Sequence, residues 1–476
     1  MARIALVTAS DGRSFVHDEV GPFGLDVQNR LAAALREVGH EVVTGEGDLS
    51  SNDGAVRLGR ELAAARPDLR LINYPVWAFP HFSLLFASQG DGPLALFSNI
   101  DPQYPGMVGM LAAGGGFDQI GVRHSRTWGD PADPAVVGQL SQLATAAGVT
   151  RRLRGATFGR IGGRPMGMYT TVANTDQWMS EFGIDIEDID QYELVRRGSA
   201  VHPAATRSAR LWLEKNAGGV HYDGAKLTPE LLERQIGVYY AARELIDEWH
   251  LDFCGIKGQP EMTNNWCTMD VAEAFLNDPY DWDGPKPTVV CSTESDMDAA
   301  LTMQILKGLS GTPVLFADVR HYEASLGVWD LCNSGQHATW FAARSDDPAQ
   351  NMAKVHLYPE VLYFPAGGAS VHHIAAPGEM TFARLTRLSG RYRMHILRGS
   401  FEEFDEPTNA RLARQSTFEW PHAFARFTAS AGEFLTRFSA NHIHAVPGDY
   451  TRELLATCEF LDIDADVIGD IGFSAG

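Results

Sequence analysis

Residues 288–320 read TVVCSTESDMDAALTMQILKGLSGTPVLFADVR. Two apolar runs flank an amphipathic segment, and each run meets a carboxylate: Glu294 after TVVCST and Asp318 after PVLFA. Between them Met297, Leu301, Ile305 and Leu309 recur every four residues, with Gly311 and Pro313 as a stop, so the spacing predicts a helix joining two buried strands. A βαβ unit of this kind runs its strands parallel in one sheet and brings their C-terminal ends to one edge, where open α/β sheets bind ligands. On that reading Glu294 and Asp318 face one crevice.

Working outward, ARIALVT is a buried strand and LDVQNRLAAALREVGH a helix, and the alternation continues through EVVTG, AVRLGRELAAARPD, LRLINYP, HFSLLFAS and LALFSN. Such alternation predicts a parallel sheet clothed by helices, so residues 1–150 form one Rossmann-like or flavodoxin-like α/β domain. A second α/β domain, 151–320, starts near RRLRGATFGRIGG and contains the helix LTPELLERQIGVYYAARELIDEWH, with Thr228 as its cap and Pro229 in its first turn. The βαβ unit at 288–318 closes it.

Beyond Arg320, VHLYPEVLYF, GEMTFARLTRL and GRYRMHILRGSF read as strands without intervening helices, so 321–476 is expected to be an antiparallel sheet or barrel with flanking helices. PHAFARFTASAGEFLTRFSA and YTRELLATCEFL read as those helices. NHIHAVPGD between them reads as a polar loop, and so does the His372–His373 pair.

At 476 residues and 45% apolar composition the chain can bury large cores, and its net charge of −21 opposes extended contact with nucleic acid or an anionic membrane. A small-molecule ligand is the better expectation. The five cysteines are widely spaced and form no CxxC pair, which argues against a disulfide framework or thiolate zinc site and for a reducing cytoplasm. The N-terminal apolar run is too short for a signal-peptide core, and no run of about 18 apolar residues is present. FGRIGGRPMG departs from GxGxxG, so a dinucleotide site is not expected.

Two facing carboxylates repel unless a cation or a shared proton lies between them. The pair is therefore a metal site or a perturbed acid pair, or else one acid is only a helix cap or salt-bridge partner. Oxygen-rich ligation suits Mn²⁺ or Mg²⁺, and one imidazole shifts the balance toward Mn²⁺. A third ligand should be histidine; many follow Asp318, and spacing does not choose among them.

The TESD block at Glu294, the FADVR block at Asp318, the NSG at Asn333 and the ANH ending at His442 occur in the order seen in the L-fucose isomerase-like family of metal-dependent aldose–ketose isomerases, which the chain resembles. The resemblance implies a metal triad of Glu294, Asp318 and His442 holding Mn²⁺, with Mg²⁺ or Co²⁺ as alternatives. Glu294 and Asp318 would double as the acid–base pair. It further implies two α/β domains followed by a C-terminal domain centred on an antiparallel β-barrel, in a homotrimer or homohexamer with active sites at subunit interfaces. The implied reaction shifts a proton between C1 and C2 of an open-chain sugar through an enediolate.

Lys257, Gln259 and Glu261 in GIKGQPEM either meet sugar hydroxyls or form a surface turn. Trp420 and His422 in EWPHAF either line the sugar or pack in the core, and Asn333 either contacts the site or serves a turn. The chain is shorter than the L-fucose isomerases and differs from them around NNWCTMDVAEAF. That leans the reading toward the branch converting sulfoquinovose to sulfofructose, with Arg123, His124, Arg126 and Lys257 as candidates to clamp its sulfonate. L-fucose, D-arabinose and L-arabinose remain alternatives, a non-catalytic sugar-binding protein is the rival of another class, and a metal-dependent hydrolase or lyase is a third reading.

Overall fold

ARIALVT forms β1 (Arg3–Thr8), and the alternation that follows it forms β2 (Glu41–Thr44), β3 (Leu69–Tyr74), β4 (Leu94–Ser98) and β5 (Ser125–Trp128). The five pair in parallel in the order β2-β1-β3-β4-β5. Successive residues of β1 serve opposite faces: Ile4 and Leu6 pack with Leu31 and Leu35 of the helix Ser14–Glu37, while Ala5 and Val7 pack with Leu58 and Phe86. A sheet buried on both faces is why these strands read as continuous apolar runs. The computed structural model describes residues 1–334 and 337–470. Its chain forms two compact units, Met1–Arg152 with Arg452–Asp462, and Leu153–Thr451 with the residues from Ile463 onward.

The second unit contains a parallel sheet of β6 (Thr157–Ile161), β7 (Asp185–Ile189), β9 (Phe253–Ile256) and β12 (Cys291–Thr293) in the order β12-β9-β6-β7. The expected helix between them spans Pro229–Glu248, and Thr228 caps it by accepting a hydrogen bond from the Leu231 amide at 3.2 Å. Smaller pairings join β10 (Tyr280–Asp281) with β11 (Gly284–Pro285), and β8 (Gly219–Val220) with β15 (His356–Pro359) and β16 (Ala369–His372).

The largest sheet comprises β13 (Leu315–Glu323), β14 (Val328–Cys332), β17 (Gly378–Leu388), β18 (Arg391–Phe401), β19 (His422–Phe427), β20 (His442–Pro447) and β21 (Asp464–Val467). Its order is β17-β20-β13-β14-β19-β18-β21, and β17 also pairs with β18. All pairs are antiparallel except β18 with β21. Among the described residues no helix is long and apolar enough to cross a membrane.

Four sequence expectations change here. The helix Met297–Ser310 forms as read, but β12 and β13 do not share a sheet: β12 pairs with β9, whereas β13 pairs antiparallel with β14 and β20. Nothing in a strand's own residues says which neighbour its backbone will bond, so the βαβ closure was a topological guess. NHIHAVPGD is the central strand β20, with Ile443 and Ala445 in the core on one face and His442 and His444 fully buried on the other. Its imidazoles look polar only while their burial is unknown. PHAFARF is the strand β19, whose Ala423, Ala425 and Phe427 enter the core at every second position, a period of two that the short run hides. The His372–His373 pair also differs from the expected loop, because His372 ends β16.

Candidate active site

After Thr293 the chain turns sharply. Glu294 and Ser295 both adopt left-handed backbone, with φ of 57° and 48°, a conformation costing about 1–2 kcal/mol for a residue other than glycine. The turn is held by hydrogen bonds from the Ser295 amide to the Ile256 carbonyl at 2.9 Å and from the Asp296 amide to the Thr293 carbonyl at 3.1 Å. Asp296 then caps Met297–Ser310, accepting from the Ala299 amide at 2.9 Å. Such strain concentrates where a side chain must be aimed, and the side chain aimed here is the buried Glu294.

Asp318 arrives from the other sheet. In the ladder it lies opposite His442 of β20 on one side and Cys332 of β14 on the other, and Cys332 lies opposite His422 of β19. Opposed residues of neighbouring strands project to the same face, so these four side chains form a row across the sheet. The His442 Nε2 is 3.3 Å from Glu294 Oε2 and 3.4 Å from Asp318 Oδ1. Gln259 donates to Glu294 Oε1 at 3.2 Å, Asn333 to Asp318 Oδ2 at 2.9 Å, and Asn441 to Asp318 Oδ1 at 3.2 Å.

This arrangement fits a divalent cation. His442 Nε2 is buried and has no hydrogen-bond partner among the described residues, a state that costs about 1–3 kcal/mol if nothing fills it. Two ligand atoms about 2.1 Å from one ion and at right angles lie about 3 Å apart, close to the separations seen here. Two carboxylates and one imidazole are a donor set for a hard or borderline ion. The other ring nitrogen, Nδ1, is 2.7 Å from Asp296 Oδ2, which directs the Nε2 lone pair at the two acids.

The electrostatics agree. Burial alone lowers the His442 pKa, but the hydrogen bond to Asp296 and attraction to the facing Glu294 and Asp318 carboxylates outweigh it and push it up to about 10. Burial and the nearby Glu294 charge raise the Asp318 carboxyl above its usual range, against the pull of His442. Asp296 is fully buried, which disfavours its charge; the Arg384 guanidinium and the His442 hydrogen bond prevail and hold it well below the usual carboxylate range.

The remaining sequence candidates lie in three settings. Gln259 and Asn333 touch the acids. Lys257 and Glu261 bond each other at 2.6 Å, and Gln191 joins Glu261 at 3.2 Å. Lys257 also lines a cavity of about 420 Å³ with Gly162, Asp188 and Asp190, at the C-terminal ends of β6, β7 and β9. Trp420 is buried, donates from Nε1 to Glu360 at 3.2 Å and lies under the Arg320 guanidinium at 5.6 Å. His422 is fully buried, with Nδ1 2.9 Å from Asp330 Oδ1 and Nε2 3.0 Å from the Thr417 carbonyl.

Asp330, Cys332 and His422 also bring ligand-type atoms within 4.8 Å of one another. Both nitrogens of His422 already face oxygen acceptors, and Ser416 donates to Asp330 Oδ2 at 2.6 Å. With both ring nitrogens engaged, the trio reads as a hydrogen-bonded wall. Sequence reasoning passed over Asp296, Asn441 and Arg384. Asp296 carried a legible signal, an acid directly before an apolar helix; for Arg384, on a strand far along the chain, none was present.

Three family models match the chain in order: "L-fucose isomerase, first N-terminal domain" over residues 1–155, "L-fucose isomerase, second N-terminal domain" over 249–311 and "L-fucose isomerase, C-terminal domain" over 331–469. Similar curated proteins include the L-fucose isomerases of Streptococcus pneumoniae strains P1031, JJA and D39. Each is 25% identical over 452 residues, covering 79% of this chain and 77% of the relative.

Proposed function

The chain belongs to the L-fucose isomerase family, and from that premise we propose that it is an aldose–ketose isomerase in which Glu294, Asp318 and His442 hold a divalent cation. The observation that carries the reading is the buried, unpartnered Nε2 of His442 between two carboxylates. We take the ion to be Mn²⁺, with Mg²⁺ or Co²⁺ as alternatives, on the strength of the mixed oxygen and imidazole donors. When bound, such an ion polarises a sugar carbonyl and acidifies the neighbouring C–H.

The chain's own groups handle the protons. Glu294 and Asp318 are the two carboxylates that take a proton from one carbon and return it to the next, or exchange it with the hydroxyls. Gln259 holds one oxygen of Glu294, and Asn333 and Asn441 hold the oxygens of Asp318, so each acid keeps a defined direction. Asp318, with its side chain 30% exposed, is the one open to an incoming sugar, whereas Glu294 is 9% exposed. Lys257, Glu261, Trp420 and His422 complete the proposed sugar pocket. Of these, Trp420 and His422 are buried, Trp420 beneath the Arg320 guanidinium and His422 held by Asp330, so both act by shaping the pocket wall.

Several sugars are put forward. Sulfoquinovose, giving sulfofructose, calls for a cation: Lys257 is occupied by Glu261, Arg126 by Asp118 and Arg123 by Asp462, whereas Arg320 beside Trp420 donates to the Thr417 hydroxyl at 3.2 Å and makes no ion pair among the described residues. L-fucose is favoured instead by the names of the similar proteins, with D-arabinose and L-arabinose as further alternatives. Incubating Mn²⁺-loaded protein with sulfoquinovose, L-fucose, D-arabinose and L-arabinose in D₂O tests all of these. Ketose formation with deuterium at C1 of the ketose, and at C2 of the aldose recovered at equilibrium, is the expected result; binding with neither ketose formation nor exchange would leave a sugar-binding protein.

The same reading takes 1–150 and 151–320 as flavodoxin-like or Rossmann-like domains, supported by the 2-1-3-4-5 order of the first sheet. It takes 321–476 as a domain built on an antiparallel barrel, supported by the β17–β18 pairing, with β13 contributed from just ahead of that boundary. A homotrimer or homohexamer with sites at the subunit interfaces is proposed as well, supported by Val108 and Leu111, more than half exposed on the helix Gly106–Gln119. Sedimentation analysis checks it. A cytoplasmic location is supported by five buried, unpaired cysteines.

A further inference from the structure

Asp296 follows Glu294 by two residues, yet it is not placed to hold the ion. Both of its oxygens are already taken. Oδ2 accepts from His442 Nδ1 at 2.7 Å and forms an ion pair with Arg384 Nη1 at 2.9 Å. Oδ1 accepts from the Ala299 amide at 2.9 Å and from Arg384 Nη2 at 3.2 Å. The carboxylate is thus saturated by donors from three elements: the strand β20, the strand β17 and the first turn of Met297–Ser310.

All three principal groups are out of water, with Asp296 and His442 at 0% and Arg384 at 1% exposure. A buried carboxylate is tolerated only when paired and hydrogen-bonded, and Arg384 supplies that pairing while its Nη2 also bonds the Thr170 carbonyl at 3.0 Å. The other side of the His442 ring is packed by Phe316, with ring centroids 4.6 Å apart. The imidazole therefore has one orientation, with Nδ1 engaged by an acceptor and Nε2 left bare toward Glu294 and Asp318.

We propose that Asp296, charge-balanced by Arg384, is a positioning residue that fixes the ring orientation and tautomer of His442, so that Nε2 presents its lone pair to the ion. The role rests on the ion site put forward above. It is separate from capping the helix, because a serine caps as well as an aspartate but does not reach His442 with a carboxylate. It also accounts for a buried ion pair that a hydrophobic pair of similar volume would replace at no loss of stability.

The test is titration of Mn²⁺ into metal-free protein by calorimetry, with wild type, Asp296→Asn, His442→Ala and the double variant Asp296→Ser/Arg384→Met. The amide of Asp296→Asn offers a donor to Nδ1, which lets the proton move to Nε2 and removes the lone pair. The double variant keeps a cap and removes both buried charges together, so a folding failure of one variant leaves the other informative. Both are expected to bind Mn²⁺ about 10–100-fold more weakly than wild type, as loss of such a partner does. The KM for the sugar, measured at saturating Mn²⁺, is expected to stay within about twofold of wild type, since the sugar does not touch Asp296. Loss of Mn²⁺ binding in His442→Ala with wild-type affinity in both Asp296 variants overturns the positioning role alone. Undiminished binding in His442→Ala overturns the ion site and the positioning role with it.

Discussion

His442 shows how much depends on one atom. Its Nε2 meets two carboxylates that would otherwise repel each other, and its Nδ1 is tied to a third acid. Removing the ring in His442→Ala should act mainly on the ion: Mn²⁺ affinity is expected to fall by about 100-fold or more, with part of the activity restored at high Mn²⁺. Glu294→Gln keeps the shape of the side chain but not its basicity, so turnover is expected to drop by at least about 10²-fold even where Mn²⁺ still binds. Chelation followed by Mn²⁺ titration of each variant separates the two effects.

The same ring sets a pH dependence. Its pKa in the metal-free fold, about 10, lies above the ordinary 6.5. The ion pairs of protonated His442 therefore stabilise the metal-free fold fully below about pH 6.5, and that contribution is lost as pH rises through about 10. A cation competes with that proton, so Mn²⁺ uptake at neutral pH is expected to release a proton and to strengthen as pH rises. Calorimetry in buffers of different ionisation enthalpy measures the release; a proton count of zero contradicts it.

At the scale of elements, the turn between β12 and Met297–Ser310 and the ladder of β13 with β20 are what bring the acids to the imidazole. The turn has no slack. A Cβ on Gly255 of β9 would lie 2.5 Å from Ser292 Oγ and 2.8 Å from Ser295 Cα. Gly255→Ala should therefore displace the segment that aims Glu294, costing about 1–3 kcal/mol of stability and weakening Mn²⁺ binding together with it. Denaturant unfolding and metal titration of this one variant check both. The helix was legible because its periodicity is local, with Leu301, Ile305 and Leu309 all buried as their spacing required. The strand β20 was not, because His442 and His444 read as polar, and their burial comes from elements far along the chain, Phe316 of β13 and Asp296 before Met297–Ser310 among them.

For the whole molecule, the proposed ion ligands all lie in the second compact unit. A ligand that binds only the folded form stabilises it by about 2.7 kcal/mol at 100 times its Kd. Hydrogen exchange with and without Mn²⁺ is thus expected to show slower exchange in β12, β13 and β20, and unchanged exchange in the sheet of β1 to β5. Equal slowing in both units would count against a single site in the second.

The blocks TESD, FADVR, NSG and ANH marked Glu294, Asp318, Asn333 and His442 before any coordinates, because reactive residue types in a fixed order are a property of the chain itself. The parallel alternation of 1–150 and the cap of Pro229–Glu248 were equally plain, since both depend on neighbours a few residues away. Which sheet received β13, that Asp318 stands opposite His442, and that Asp296 with Arg384 braces the ring were decided only in the folded protein. Strand partners and buried polar contacts join residues separated by as many as 214 positions. Their energies come from pairing and exclusion of water, which no local pattern in the sequence records.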